Sequence, residues 1–113
     1  MQYLVTMDYV DPGPLFPPQQ VPGLIGQSVL PTFDACMRLR DEGKIVGGGV
    51  VAAARQVVFI MEAASNDDLN ELVEGLPLWG LTKVDVTPLQ SFETRKDQDR
   101  QMADSMESAL QQQ

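Results

Sequence analysis

Three side chains in this sequence could carry proton-transfer chemistry, and each lies at one end of an apolar, alternating run. Asp8 closes the run that starts at Gln2, Glu62 closes the run from Val57, and Lys83 opens a third run. If two carboxylates lie beside a lysine, one can remove a proton next to a carbonyl group and the other can return it. The cluster would suffice for a proton-shuttling isomerase, although an ordinary interface ion pair would place the same residue types together.

The absence of histidine excludes several common kinds of catalytic and metal site. The 113 residues contain no histidine and one cysteine, which removes the Ser-His and Cys-His nucleophile pairs and the usual zinc ligand sets. Cys36 falls on a predicted apolar stripe, so we interpret it as a buried small residue and not as a nucleophile. A lone cysteine also fits a reducing, cytoplasmic compartment. We expect no metal and no other cofactor.

The composition limits the possible partners. Sixteen acidic residues against eight basic ones give a formal net charge of −8, which repels nucleic-acid phosphates and anionic lipid. No apolar run approaches the roughly 20 residues of a membrane-spanning helix, and no signal peptide is evident. We therefore expect a globular protein that binds a small-molecule ligand and copies of itself, with no nucleic-acid or membrane partner.

The hydrophobic periodicity predicts the elements that position these side chains. A strand is expected over 2–9, a helix over 23–44, two strands over 45–54 and 57–63, a helix capped by Ser65 and ended by Gly75, and a strand over 82–87. Segment 11–22 holds five of the eight prolines and is expected to be irregular. The order β-α-β-β-α-β is the split βαβ, ferredoxin-like α+β arrangement with a four-stranded antiparallel sheet.

This topology leads to an expectation about the sheet. We expect the first and third strands to be parallel neighbours and the fourth to lie antiparallel beside the first, which would gather Asp8, Glu62 and Lys83 at one end. Leu4, Val58 and Ile60 would share their face, and no helix remains to cover it. An uncovered apolar face predicts a homodimer or a larger homo-oligomer.

Three consecutive glycines, Gly47 to Gly49, are unusual inside a strand. Either they mark a bulge or a close backbone contact, or they leave space beside the sheet for a ligand. In the second case we expect a pocket bounded by Thr6, Asp8, Glu62 and Trp79. The candidate substrate-binding residues are Thr6, Tyr9, Gly47, Gly49, Arg55, Trp79 and Lys83. Tyr9 and Arg55 could hold a substrate carboxylate, or they could be a packed aromatic and a solvated turn residue.

Residues 65–89 resemble the C-terminal half of the muconolactone isomerase family. The matching residues are Ser65-Asn66, Leu69, Leu72, Leu76-Pro77-Leu78-Trp79 and Val84-Asp85-Val86-Thr87-Pro88-Leu89, together with Leu4-Val5, Met7-Asp8, Arg38-Leu39 and Glu42-Gly43. Over residues 1–90 the resemblance implies a dimeric α/β barrel and a cofactor-free isomerase of lactones in aromatic catabolism. It also implies that the apolar loop at Trp79 lies where subunits meet. The alternative is that Leu78 and Trp79 close the core of one chain.

The sequence departs from the family at its second strand. In the family that strand is rich in Trp, Arg and His. Here the corresponding positions are Ile45, Val46, Gly47, Gly49 and Val50. A carboxylate that the family carries on its first helix would fall near Thr32 in this sequence. This predicts a wider, less polar pocket. Two other functions therefore stay open beside the isomerase: a cofactor-free monooxygenase or cyclase acting on polyketide-like rings, and a non-catalytic ligand-binding or assembly module.

The chain is expected to divide after the last strand. Residues 1–90 form the ferredoxin-like domain, and residues 91–113 form a polar helical tail. The apolar residues of the tail make one narrow stripe, Met102, Met106, Ala109 and Leu110. So thin a stripe gives a marginal helix, which either frays in solution or contacts another subunit, and we predict the contact.

Overall fold

A computed structural model describes residues 1–9 and 17–112 of the chain. Residues 11–16 of the proline-rich segment lie outside the described residues. The expectation that 11–22 is irregular was wrong for its second half, because Pro18–Gln20 form a 3-10 turn and Val21–Leu24 begin the first helix. The strands are β1 (Gln2–Tyr9), β2 (Ile45–Val50), β3 (Gln56–Glu62) and β4 (Thr82–Leu89), and the helices are α1 (Val21–Leu24), α2 (Leu30–Asp41), α3 (Asn66–Glu74) and α4 (Phe92–Gln111). The predicted α+β order and the extra C-terminal helix are therefore confirmed.

The first helical region passes through a proline without breaking. Between α1 and α2 the residues Ile25–Val29 form a π turn, in which the amide of Leu30 donates to the carbonyl of Ile25. Pro31 follows at once, and it has no amide to donate and would crowd the carbonyl four residues earlier in a regular helix. The wider turn relieves that conflict. The helix ends before Gly43, whose φ of +79° is the left-handed conformation that stops a helix.

The sheet has the order β2-β3-β1-β4, and every neighbouring pair is antiparallel. The expectation that β1 and β3 run parallel was therefore wrong. Because β2 and β3 form a hairpin, they run in opposite directions. The helical crossover makes β2 parallel to β1, so β3, inserted between them, opposes both.

Alternation along the strands separates a helix face from a second face of the sheet. The helix face is buried against α2 and α3 and contains Tyr3, Val5, Met7, Val57, Phe59 and Met61. The hydroxyl of Tyr3 donates to Oδ1 of Asn66 at 2.6 Å, which attaches α3 to β1. We call the opposite side of the sheet, with Leu4, Thr6, Asp8, Val58 and Ile60, the bare face; these five side chains are partly exposed.

The apolar connection after α3 has a buried part and an exposed part. Leu76 and Leu78 are almost completely buried, so they close the core of one chain. Trp79 is 41% exposed, at the start of a 3-10 turn that leads into β4. The connection is thus apolar mainly because its leucines are core residues, and the exposed indole remains available to a partner.

Thr32 joins this connection to α2. Its side chain is fully buried, and its Oγ1 donates to the carbonyl of Ser28 and accepts from the amide of Leu78, both at 2.8 Å. The position at which the family resemblance places a carboxylate therefore holds a structural hydroxyl. It satisfies a backbone amide that would otherwise be buried without a partner.

Replacing Thr32 by valine should destabilise the fold by about 1–3 kcal/mol, because the buried amide of Leu78 would lose its acceptor. Thr32→Ser keeps the hydroxyl and is the matched control, so it should retain more of the stability. Urea unfolding followed by circular dichroism measures both variants. A Thr32→Val protein as stable as the parent would show that the hydrogen bond contributes nothing.

The C-terminal helix α4 extends away from the sheet. Ser91 caps it by accepting from the amide of Thr94 at 3.1 Å. Its described residues are all exposed, including Met102 at 54% and Met106 at 62%. With this helix included, the molecule is 73 Å along its longest axis. Separately, no helix in residues 1–9 and 17–112 combines the length and the hydropathy needed to cross a membrane.

Candidate functional site

A polar cluster occupies one end of the bare face. Asp8 on β1 stands opposite Gln56 on β3 and opposite Lys83 on β4. Nε2 of Gln56 donates to Oδ1 of Asp8 at 2.8 Å, which fixes the orientation of the carboxylate and leaves Oδ2 available. The register therefore confirms that Asp8 and Lys83 are neighbours, at the Cβ separation of about 5 Å that is usual for directly paired residues.

Asp85 is a second carboxylate of this end of the sheet, and the sequence analysis did not select it. It stands opposite Thr6, two residues beyond Lys83 on the same face of β4, and therefore diagonal to Asp8 at roughly 7–8 Å. Lys83 makes no ion pair within the described residues. The signal that could have found Asp85 is its two-residue spacing from Lys83, once the antiparallel pairing of β1 with β4 is assumed.

Glu62 does not belong to the cluster. It stands opposite Gln2, six pairs away from Asp8 along β1, which corresponds to about 20 Å. The expected gathering of Asp8, Glu62 and Lys83 was therefore wrong for Glu62, because β3 runs antiparallel to β1. Oε1 of Glu62 instead accepts from the amino group of Met1 at 2.8 Å, and this hydrogen bond lowers the pKa of the Glu62 carboxyl group.

The remaining predicted binding residues divide among three places. Thr6, Gly47 and Gly49 lie on the bare face, where the glycines pair with Ile60 and Val58. Tyr9 is partly buried against the core on the helix face. Arg55 lies in the turn between β2 and β3, where its carbonyl accepts from the amide of Tyr9 at 3.0 Å.

Trp79 lies on the helix-face side of β4 and lines a groove there with Tyr3 and Asn66. The expected pocket bounded by Thr6, Asp8, Glu62 and Trp79 therefore does not form. Glu62 is at the wrong end of the sheet, and the indole of Trp79 is on the wrong side of it.

The glycine run contains the bulge and the close backbone contact that were considered for it. A bulge falls between Ile45 and Gly47, and Gly48 adopts a φ of +126°. A Cβ at Gly48 would collide with the carbonyl oxygen of Val58 and would lie 2.5 Å from Cα of Phe59, whereas one at Gly47 or Gly49 would meet nothing within 4 Å. Gly48 thus permits a close approach of two backbones, and its neighbours leave open space.

A cavity of about 160 Å³ does lie beside the glycines, but on the helix face, between α2 and the β2–β3 hairpin. Its lining includes Phe33, Cys36, Arg40, Gly48, Val57 and Phe59. Burial raises the pKa of the Cys36 thiol. Cys36 is partly buried against the core, so the prediction of a buried residue was only partly right. Its raised pKa makes the thiol a slow nucleophile at neutral pH.

Comparisons with known proteins agree with this fold. A crystal structure of muconolactone isomerase superposes with a TM-score of 0.67 at 20% identity, covering 80% of this chain and 90% of that one. The 5-chloro-2-hydroxyhydroquinone dehydrochlorinase of Burkholderia phenoliruptrix AC1100, in complex with 2,5-dihydroxybenzoquinone, superposes with a TM-score of 0.59 at 20% identity, covering 83% and 98%. At this identity the two likenesses show the ferredoxin-like fold.

The sequence comparison defines the family. The search of curated proteins gave no match. The family model of muconolactone delta-isomerase matches residues 1–95, which include the whole sheet, α2 and α3. The resemblance drawn from the apolar connection at Leu76 to Trp79 is thereby confirmed, and the chain belongs to the muconolactone delta-isomerase family.

Proposed function

We propose that this protein is an isomerase that shifts a carbon–carbon double bond in a small unsaturated lactone or another ring-shaped, apolar carboxylic substrate. The observation that carries the proposal is the cluster of Asp8, Gln56, Lys83 and Asp85 on the bare face, in a chain of the muconolactone delta-isomerase family. Proton transfer by carboxylates needs no cofactor.

The reaction is a proton transfer between two carbons of one substrate. The Asp8 carboxylate removes a proton from the saturated ring carbon next to the double bond that is conjugated with the carbonyl group. The electron pair of the broken C–H bond moves through the double bond onto the carbonyl oxygen, which gives a dienolate. The proton then returns to a different carbon and the carbonyl re-forms, so the double bond has shifted and no atom is gained or lost. Asp8 itself or Asp85 can return the proton.

The neighbouring side chains have separate roles in this scheme. Gln56 holds one oxygen of Asp8 at 2.8 Å and leaves the other to act as the base. The Lys83 ammonium group is next to it and unpaired within the described residues, so it can bind a substrate carboxylate or the dienolate oxygen. A preorganised cation of this kind stabilises charge that develops in the transition state.

The site as we propose it is completed by a second copy of the chain. Leu4, Val58 and Ile60 give the bare face an apolar centre beside the polar cluster. Packing two such faces together would bury the apolar side chains and exclude water from Asp8. We therefore propose a homodimer or larger homo-oligomer that forms an α/β barrel, acting in the cytoplasm in the breakdown of aromatic compounds.

A non-catalytic ligand-binding module is the second candidate, and one observation favours it. The part of β2 that lies on the bare face presents Gly47 and Gly49 opposite Ile60 and Val58, whereas the family that the chain resembles has Trp, Arg and His on this strand. A cofactor-free monooxygenase or cyclase on polyketide-like rings would also suit such an open strand.

The test is to incubate the protein with muconolactone in deuterated water and to follow the proton spectrum by nuclear magnetic resonance. The proposal expects the double bond to shift at a rate proportional to protein concentration. Solvent deuterium should enter the carbon that receives the proton whenever the carboxylic acid exchanges with solvent before it delivers the proton. Binding of the lactone without conversion or exchange would favour the ligand-binding module. Consumption that depends on dissolved oxygen would favour the monooxygenase.

The role of α4 is open to a direct prediction. Since all its described residues are exposed and its apolar stripe is thin, we expect the helix to contact another subunit. Truncation after Ser91 should then lower the oligomer mass in sedimentation velocity, or lower the melting temperature. Met102→Gln with Met106→Gln in the full chain keeps the helix and should reproduce the effect. If truncation changes neither property, α4 is a solvated appendage.

A further inference from the structure

The cavity on the helix face has the size and lining of a site for one aromatic ring. Its volume is about 160 Å³, and it opens to solvent past the exposed side chains of Met37 and Val50. That volume matches one six-membered ring, because a cavity of roughly 150 Å³ holds benzene. Phe33 and Cys36 come from α2, and Val57 and Phe59 come from β3. This lining would favour an apolar ring over water.

The backbone prevents the chain from filling this space itself. In β2 the position opposite Phe59 is Gly48, whose φ of +126° and contact with the Val58–Phe59 backbone exclude any side chain. Neighbouring Gly49 also lines the cavity and adds no side chain. The space is therefore a feature of the β2 bulge rather than a fault in side-chain packing.

Arg40 gives the site its charge preference. It is the one charged residue that the lining contains within the described part of the chain, and it lies one helical turn after Cys36, on the same side of α2. Its Nε and Nη2 atoms are 3.5 Å from Oδ1 of Asp41, and its side chain is 62% exposed. A contact this long and solvated leaves the guanidinium group free to turn towards an anionic ligand.

We propose that this cavity binds a monocyclic aromatic carboxylate of the size of benzoate, with its ring between Phe33 and Phe59 and its carboxylate on Arg40. The site is on the opposite side of the sheet from Asp8 and does not depend on the proposed isomerase activity. An aromatic ring is the occupant because the lining includes two phenylalanine side chains, whose rings interact favourably with a third. The carboxylate follows from the sign of the charge at Arg40.

Cys36 provides the first experiment, since its thiol lines the cavity. Alkylation of the native protein by iodoacetamide is followed by mass spectrometry with and without benzoate. We expect benzoate to slow the modification in a saturable manner and benzylamine, which has the opposite charge, to have no such effect. The dissociation constant expected of so small a ligand is on the order of 1 mM. If benzoate at up to about 20 mM gave no protection, the proposal would be overturned.

Two variants in the same alkylation experiment test whether benzoate binds in this cavity. Arg40→Gln alters an exposed side chain and should weaken benzoate protection about three- to tenfold, as expected for loss of a solvated charge-assisted contact. Asp8→Asn lies on the other face and should leave the protection unchanged, whether or not the isomerase proposal holds. Protection that is unaffected by Arg40→Gln, or that is lost in Asp8→Asn, would show that benzoate binds elsewhere and would overturn the assignment.

Discussion

Replacing Asp8 by asparagine should lower the turnover number by roughly 10²–10⁴-fold, the usual contribution of a positioned general base. The amide has almost the same shape as the carboxylate and can still receive the hydrogen bond from Gln56, so the fold should persist. It cannot accept a proton from carbon. The measurement is the initial rate of double-bond shift with muconolactone, beside a circular dichroism spectrum that verifies the fold.

Glu62→Gln is the matched control, because it makes the same chemical change on the same face about 20 Å away. Its activity should stay within a few-fold of the parent. If Glu62→Gln lost as much activity as Asp8→Asn, the two carboxylates would have to meet across subunits. If Asp8→Asn kept nearly full activity, Asp8 would not be the base.

Replacing Gly48 by alanine should destabilise the protein by about 3 kcal/mol or more, because the left-handed φ and the collision with the Val58–Phe59 backbone add together. For a domain of this size such a loss corresponds to a fall in melting temperature of roughly 10–20 °C. Differential scanning calorimetry measures it directly.

The adjacent glycine supplies the control. A Cβ at Gly47 meets nothing within 4 Å, so Gly47→Ala should be neutral or should stabilise by up to about 1 kcal/mol through reduced chain entropy. The contrast between two neighbouring glycines isolates the backbone conformation of Gly48. Equal effects of the two substitutions would show that the bulge does not have the geometry described.

Local patterns in the sequence predicted the elements well, because each pattern has a local physical cause. The alternation of Tyr3, Val5 and Met7 follows from the two-residue period of a strand. Ser65 caps α3 through the amide of Asp68 at 3.1 Å, as the sequence led us to expect. The stop at Gly43 likewise depends only on that residue and its neighbours.

The errors concerned relations between distant segments. The relative direction of β1 and β3 depends on how the hairpin and the crossover combine, and the wrong direction brought Glu62 to the end of the sheet where Asp8 lies. The bulge after Ile45, which was one of the roles considered for the glycines, shifts the alternation of β2 by one residue. Gly48 therefore meets the helix face, while Gly47 and Gly49 lie on the bare face. A one-residue shift of this kind leaves no trace in the hydrophobic pattern of an apolar strand.

A crystal structure of the protein with a bound, unreactive lactone carboxylate would test the role of the bare face most directly. We expect two copies packed through their bare faces. The ligand should lie between them within hydrogen-bond distance of the Asp8 carboxylate and the Lys83 ammonium group. A ligand found only in the helix-face cavity beside Cys36, with the bare face of a single chain open to solvent, would contradict it.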